Sequence, residues 1–444
     1  MNHMRYFIKT FGCQMNHSDS ERIAGFLEIQ PHPNPLLSKE REFKPTKDIH
    51  KADLVIFNTC GVRQMAEDRV YGQIHNLRKK HPETKIVLTG CLANRKDVQR
   101  RLKNKVDLFC EIKDFPEIVG TDLVSVPREQ RQALPLQENY LKIIPKYSAK
   151  HTAYVPIMTG CNNFCSYCVV PYARGREVSR PAEEIIGEIK LLVKRGYKKI
   201  ILLGQNVNSY NDKKINFSKL LKKINSIPGN FWIWFISNHP KDFSLELIET
   251  MTKCRKVCEC VHLPIQAGDD KILENMNRKY TAREYLAKIE KIKKAFAKNK
   301  PGKLYSITSD IIVGFPGETK KQFLESAKIM EKVGYSMVYF GQFSPRPGTM
   351  AAKMKDNVKK SEKVRREKYL NEILKKTSFS NNKKYENKII EVLVNEEKNG
   401  NYFGHTRTMK NVKITSAKKN ITGKIVRVKV TKANVWNLEG VLKK

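Results

Sequence analysis

Short apolar runs alternate with amphipathic stretches along most of the chain. Runs at 6–10, 54–58 and 85–88 are rich in β-branched and aromatic residues, and a helical pattern follows each of them. That rhythm predicts strand–helix units around a mostly parallel sheet. It resumes after residue 151, with strand candidates at 153–158, 199–203, 231–236, 261–263, 310–313 and 337–340. Long amphipathic helices rich in Lys and Glu separate them, for example over 282–298. Such units suggest a barrel or partial barrel, whose chemistry sits at the carboxyl ends of its strands. Past residue 376 the pattern shortens to alternation at 389–394, 412–415 and 424–430, with Asn399-Gly400 as a hairpin turn. The expected fold class is α/β. An amino-terminal α/β domain covers 1–126, a polar Pro-bearing linker 127–150, a partial (β/α)6 barrel 151–375 and a small β-barrel 376–444. A Pro- and charge-rich stretch between Ile29 and Asp48 reads as a surface loop.

Charge sharpens this picture. Of 444 residues, 84 are Lys or Arg and 45 are Asp or Glu, a formal net charge of +39. A surplus of that size favours a polyanionic partner, nucleic acid first, although Lys enrichment without such a partner gives the same composition. From Lys376 onward 16 basic residues face 5 acidic ones, so the last module is itself basic. Small basic β-barrels commonly hold oligonucleotides. The sequence shows no cleavable leader, and no apolar run approaches the roughly 18 residues a membrane helix needs. The chain therefore reads as cytoplasmic, and its ten cysteines as metal ligands or free thiols rather than disulfides.

Two cysteine triads carry the chemistry. Cys161-x3-Cys165-x2-Cys168 follows the first strand of the second part, and the next cysteine is Cys254. A structural zinc site wants four ligands, and a ferredoxin run supplies its fourth cysteine nearby. Three thiolates on a 4Fe–4S cube instead leave one iron open to substrate or cofactor. Gly160 lets the backbone approach, and Phe164 and Tyr167 can keep water off. The plain alternative is three buried structural thiols. Cys13, Cys60 and Cys91 lie far apart in sequence, yet each ends a strand and precedes a helix. In an open parallel sheet such strand ends meet at one crevice. Helix N-termini there are expected to depress the thiol pKa values. This triad also leaves one iron of a cluster open; the alternative is three independent buried thiols.

The spacing of the first triad, with an aromatic before its last cysteine, resembles the signature of the radical S-adenosylmethionine (SAM) enzymes. That likeness implies SAM chelated on the open iron and its reductive cleavage to a 5′-deoxyadenosyl radical. It also suggests SAM contacts at Gly204, Gln205 and Asn206 after the second strand. Gly314, Gly317 and Glu318 after the fifth resemble a segment that packs on the adenine. Over almost its whole length the chain resembles the methylthiotransferase family. The likeness rests on Met15 to Glu21, Gly160 to Pro171, Arg174 to Pro181, Gly204 to Tyr210, His262 to Gly268, Met276 to Tyr280, Ser344 to Thr349 and Trp436 to Gly440. It implies two 4Fe–4S clusters and SAM as cofactors, and a TRAM-like tail that binds RNA. The implied substrate is the isopentenylated adenosine 3′ of the tRNA anticodon. One SAM methylates a sulfur held at the second cluster, and another gives the radical that removes hydrogen from C2 of the base. An electron donor such as flavodoxin or ferredoxin, and a sulfur donor, complete the expected partners. Rival readings are methylthiolation of threonylcarbamoyl adenosine, methylthiolation of a ribosomal-protein aspartate, and a non-catalytic iron–sulfur RNA-binding sensor.

Other residues are less telling. His262 and Gln266 flank the end of the fourth strand and are candidates for orienting SAM or the base. Arg174, Arg176 and Arg180 suit phosphate or carboxylate forks, as contacts to SAM or the anticodon backbone, or else pair with Glu177 or Glu183. Cys110, Cys254, Cys258 and Cys260 read as structural thiols.

Overall fold

The run Leu54–Thr59 is buried along its full length, which only a strand covered on both faces can achieve. It lies at the middle of a five-stranded sheet, ordered Arg41–Pro45, Asn2–Phe11, Leu54–Thr59, Lys85–Gly90 and Leu108–Phe109, and every neighbouring pair is parallel. The computed structural model describes residues 2–29, 41–61, 64–115, 140–213 and 215–443. Side chains alternate between the faces. Val55, Phe57, Ile86 and Leu88 pack under the helices Gln64–Lys80 and Lys96–Leu102. Leu54, Ile56 and Val87 pack with Tyr6, Ile23 and Leu27 on the other side. The chain winds one way from the first strand and then the other, so the switch point falls between Asn2–Phe11 and Leu54–Thr59. The surface loop expected between Ile29 and Asp48 is in part the edge strand Arg41–Pro45, and residues 30–40 lie outside the described residues. So does most of the expected linker, up to 139; its end contributes the buried Tyr140 and Leu141.

The second unit has six parallel strands, Thr152–Pro156, Lys199–Leu203, Trp232–Phe235, Cys260–His262, Ser306–Val313 and Met337–Gln342. They form two three-stranded sheets joined by a parallel bridge from Ile233 to Val257. Alternate residues face outward into a large helix-covered core, as Ile200 and Leu202 do. The intervening Ile201 and Leu203 face inward, where they meet Tyr154, Trp234 and Met15 of the first unit. Capping boxes start two of the covering helices, Thr281 with Glu284 ahead of Ala282–Asn299 and Thr319 with Gln322 ahead of Lys320–Val333.

The third unit is a closed five-stranded barrel, ordered Ile389–Lys398, Asn401–Thr406, Asn411–Thr415, Asn437–Leu442 and Ile425–Ala433. Asn399 and Gly400 both take positive φ, 50° and 71°, as a tight hairpin turn requires. One helix, Lys360–Lys383, runs through residues 375 and 376, where composition alone changes. Its Asn382 donates to the Asn434 carbonyl at 2.8 Å, which ties it to the small barrel.

A turn of the small barrel closes the amino-terminal end of the larger one. Ser306 Oγ donates to the Thr408 carbonyl at 2.8 Å, and Arg407 reaches Glu259 at 2.7 and 3.0 Å. Lys300 pairs with the same carboxylate at 2.6 Å. Glu259 and Lys300 are almost fully buried, so removing the acid strands two cations. Glu259→Ala should therefore lower stability by roughly 3–5 kcal/mol. Loss of Lys222, whose pairing with Glu246 is exposed, should change it by less than about 1 kcal/mol. Thermal and denaturant unfolding of the two variants measure the contrast.

Candidate active site

The loop that holds Cys161, Cys165 and Cys168 is pinned before any ligand is considered. A short antiparallel pair, Met158–Thr159 with Val178–Ser179, closes its base. Gly160 sits there at φ 73°, and a Cβ would lie 1.9 Å from the Arg176 carbonyl oxygen. Only glycine fits. The far side is held by the segment after the fourth strand: Ser166 donates to the Asn275 carbonyl at 2.7 Å, and Asn277 to the Phe164 carbonyl at 2.9 Å. Arg278 completes the support. It donates to Cys165 Sγ at 3.2 Å, to the Tyr167 hydroxyl at 3.4 Å and to the Pro264 carbonyl at 3.3 Å.

The other triad is built from three strand ends, as the sequence predicts. Cys13 follows Asn2–Phe11, Cys60 follows Leu54–Thr59 and Cys91 follows Lys85–Gly90. Two of these ends approach closely because Gly90, at φ 85°, would place a Cβ 2.4 Å from the Thr59 carbonyl oxygen. Asn16 and Asn58 exchange hydrogen bonds at 2.9 and 2.8 Å, locking the Cys13 turn to the central strand. Cys60 and Cys91 are buried, and Cys13, deep in the fold, leaves part of its surface open to the cavity that it lines.

All six cysteines line one cavity of about 1130 Å³, which lies between the carboxyl ends of both sheets and runs down the larger barrel. Tyr167, Gly204, Gln205, His262 and Gln266 line it too. His262 Nδ1 contacts the Thr308 hydroxyl at 2.9 Å, and its Nε2 lies 3.4 Å from Asp310. Several buried polar atoms on the wall have no hydrogen-bond partner among the described residues, namely Gln205 Oε1, Asn238 Oδ1, His239 Nε2, Gln14 Oε1 and Arg174 Nη1. Buried polar groups are seldom left unpaired, so this wall is made for a polar ligand. Among the described residues no three His, Cys, Asp or Glu side chains converge on a single-ion site. A 4Fe–4S cube would take each thiolate on a different iron, and the donor set of three cysteines per site suits it.

Several other expected residues lie elsewhere or have other partners. Gly314, Gly317 and Glu318 do not line this cavity. Glu318 is occupied in accepting from the Gly314 N–H and from Arg366, both at 2.7 Å. Asn206 is also turned away, donating to Asp242 at 2.8 Å. Arg176 is exposed, its guanidinium 4.5 Å above the Phe164 ring. Arg174 and Arg180 do form ion pairs, but with acids other than Glu177 and Glu183: Arg174 with Asp19 at 2.6 Å, and Arg180 with Glu184 and Glu188. Cys13, Cys161 and Cys168 do not show the expected depression of a thiol pKa. Burial pushes Cys13 and Cys161 up, and Cys168 up to about 12. Desolvation therefore outweighs the helix ends, and iron coordination would have to supply the deprotonation. Cys260, read as structural, lines the foot of the cavity, whereas Cys110, Cys254 and Cys258 lie in the packed interior. Arg278, Asn238 and His239 escaped the sequence reading. Only the Met276 to Tyr280 motif hinted at the first.

Comparison with known proteins finds relatives for each of the three units. Residues 155–330 match the radical SAM superfamily, 5–111 an uncharacterized protein family called UPF0004, and 383–443 the TRAM domain. A tRNA-2-methylthio-N(6)-dimethylallyladenosine synthase of Clostridium botulinum strain Hall is 41% identical, over 98% of this chain and 96% of that protein. One from Thermoanaerobacter sp. strain X514 is 41% identical, over 98% and 92%. Among solved structures, the radical SAM methyltransferase TsrM from Kitasatospora setae superposes with a TM-score of 0.55 at 13% identity, covering 79% of this chain and 75% of that one. The cobalamin-dependent radical enzyme OxsB gives 0.51 at 8%, covering 83% and 56%. These last two show the fold.

His239 yields a test of the cavity wall. Its Nδ1 accepts from the Lys241 N–H at 3.2 Å. Burial, with Arg278 and Lys241 nearby, lowers its pKa to about 2. The unfolded chain takes up this proton near pH 6.5 and the native one only near 2. Stability present above pH 6.5 should thus fall as the pH drops, by up to about 1.4 kcal/mol per pH unit. Denaturant unfolding at pH 7.5 and 5.5 should show a smaller loss in His239→Gln than in the wild type.

Proposed function

Because the chain belongs to the radical SAM methylthiotransferase family of the tRNA-2-methylthio-N(6)-dimethylallyladenosine synthases, we propose that its cavity joins two iron–sulfur sites over one tRNA base. The reaction is methylthiolation of N6-isopentenyladenosine in tRNA, at C2 of the adenine beside the anticodon. The observation that carries this reading is the opening of both cysteine triads onto the same cavity. Cys161, Cys165 and Cys168 would hold one 4Fe–4S cluster and Cys13, Cys60 and Cys91 a second, since three thiolates suit a cluster that keeps one position open to a non-protein ligand. When bound, cluster and SAM supply the radical that opens the C2–H bond and the methyl group.

The chain's own residues position, desolvate and polarise. Arg278 donates to Cys165 Sγ and so offsets charge on the thiolate. Gln205, Asn238 and His239 offer the unpaired polar atoms that a sulfonium amino acid and its nucleoside need. Another part of the lining, Met15, Tyr154, Ile201, Leu203 and Trp234, is apolar or aromatic. An isopentenyl tail buries well against it, whereas the carboxylate of a threonylcarbamoyl group would lose its water there. The basic small barrel, with the half-exposed Trp436 among the residues that line the cavity, suits RNA rather than an acidic protein loop. The reaction belongs in the cytoplasm, with a flavodoxin- or ferredoxin-type reductant and a sulfur donor as partners. Among the described residues no helix is long and apolar enough to cross a membrane.

Nucleoside mass spectrometry on tRNA from a strain lacking its own enzyme tests the proposal. Expression of this chain should restore 2-methylthio-N6-isopentenyladenosine, and Cys13→Ala or Cys161→Ala should each abolish it. A methylthio group found only on threonylcarbamoyl adenosine would overturn the substrate assignment. Reconstituted protein should hold about eight irons, and about four when either triad is replaced by alanine. Under dithionite, SAM cleavage should survive loss of Cys13, Cys60 and Cys91 and vanish without the other three. Absence of cleavage in the intact protein would favour the sensor reading.

A further inference from the structure

Arg174 ends the short helix Val170–Arg174 that leaves the Cys161–Cys168 loop, but its side chain pairs with Asp19 of the first unit. The side chain is 4% exposed, and that of its partner Asp19 is fully buried. Asp19 lies on the helix Gln14–Ile29, which begins just after Cys13. A buried Arg–carboxylate pair ordinarily closes as a two-pronged fork, because each partner then satisfies two polar atoms. This one does not. One guanidinium nitrogen, Nη2, lies 2.6 Å from Asp19 Oδ2, while Arg174 Nη1 and Asp19 Oδ1 have no hydrogen-bond partner among the described residues. A buried donor left unpaired is costly, the more so when it is charged. The half-used fork sits on the wall of the cavity that Cys13, Cys60 and Cys91 also line. It is electrostatically coupled to the Cys13 and Cys91 thiols. Three thiolates on a cube leave that site negative, and an anion added at its open iron would need a cation beside it.

We propose that Arg174 is the positioning residue for an anionic sulfur ligand, of the hydrosulfide or methanethiolate class, at the Cys13–Cys60–Cys91 site. Asp19 holds the guanidinium by one prong and leaves Nη1 to donate to the sulfur. The inference rests on the two-cluster reading above. It also explains why an arginine from the radical unit is buried inside the other unit: sulfur is held only when the two are docked.

The test uses the full chain carrying Cys161→Ala, Cys165→Ala and Cys168→Ala, reconstituted with iron and sulfide and titrated with sodium methanethiolate. Electron paramagnetic resonance of the reduced remaining cluster reports binding. Adding Arg174→Gln should weaken methanethiolate binding at least tenfold at unchanged iron content. Arg174→Lys, which keeps the charge and loses the planar fork, should weaken it three- to tenfold. Arg195→Gln, the same charge change at an exposed position, should leave it unaltered. Equal affinity in the parent and in Arg174→Gln overturns the proposal. If the glutamine variant fails to fold or to hold iron, equal affinity in Arg174→Lys overturns it. A parent that binds no iron sinks the two-cluster reading itself, which is a different outcome from a cluster whose methanethiolate affinity ignores Arg174.

Discussion

Two α/β units can share a cavity only if the carboxyl ends of their strands face each other in a fixed register, and buried ion pairs impose that register here. Arg174 meets Asp19, Arg22 meets Glu188, and Arg346 meets Glu67, each pair crossing between the units with both side chains largely withdrawn from water. Apolar packing alone would tolerate a slide of one surface over the other. A buried charge does not tolerate it, because misdocking strands the charge without its partner. The docking therefore contributes more to geometry than to net stability. Every feature of the cavity, from the facing triads to the apolar wall that includes Met15, depends on it.

Within that frame the two triads are held in different ways. The Cys161–Cys168 loop is local in sequence and rigid by glycine geometry and by the Asn275–Arg278 segment. The other triad is assembled from strand ends 47 and 31 residues apart, so its precision comes from the sheet: parallel register places the three ends side by side at the switch point. One site thus depends on its own loop and the segment that braces it, and the other on the whole first unit being folded. In the proposed reaction, sharing a single cavity would let one bound base be reached from both without diffusing between them.

The small barrel contributes beyond any grip on RNA. Its 407–410 turn, with Met409 at φ 59°, closes the amino-terminal end of the larger barrel through Glu259, Ser306 and Ser336. Open-ended barrel interiors admit water, and a plugged one offers a drier space in which electrostatic interactions count for more. The foot of the lumen holds Lys199 and Lys410, both shifted downward by burial, the latter to about 8.

Much of this was legible in the chain. Strand periodicity, the spacing of Cys161, Cys165 and Cys168, and the equivalent positions of Cys13, Cys60 and Cys91 are local or pattern-like properties. Local chemistry and period-two alternation are written residue by residue. The partners of charged and polar side chains were not legible, because they are set by docking across long sequence separations. Glu318 looked like a cofactor contact and instead caps Gly314 and binds Arg366, 48 residues away. Arg278 looked like part of a motif and instead supports Cys165, 113 residues before it. Arg174 could have faced a phosphate or a nearby glutamate, and only the docked units turn it toward Asp19 and the distant thiols. The sequence by itself determined which residues can do the chemistry; the tertiary structure alone decided which face one another, since burial and partner geometry exist only once the chain has closed on itself.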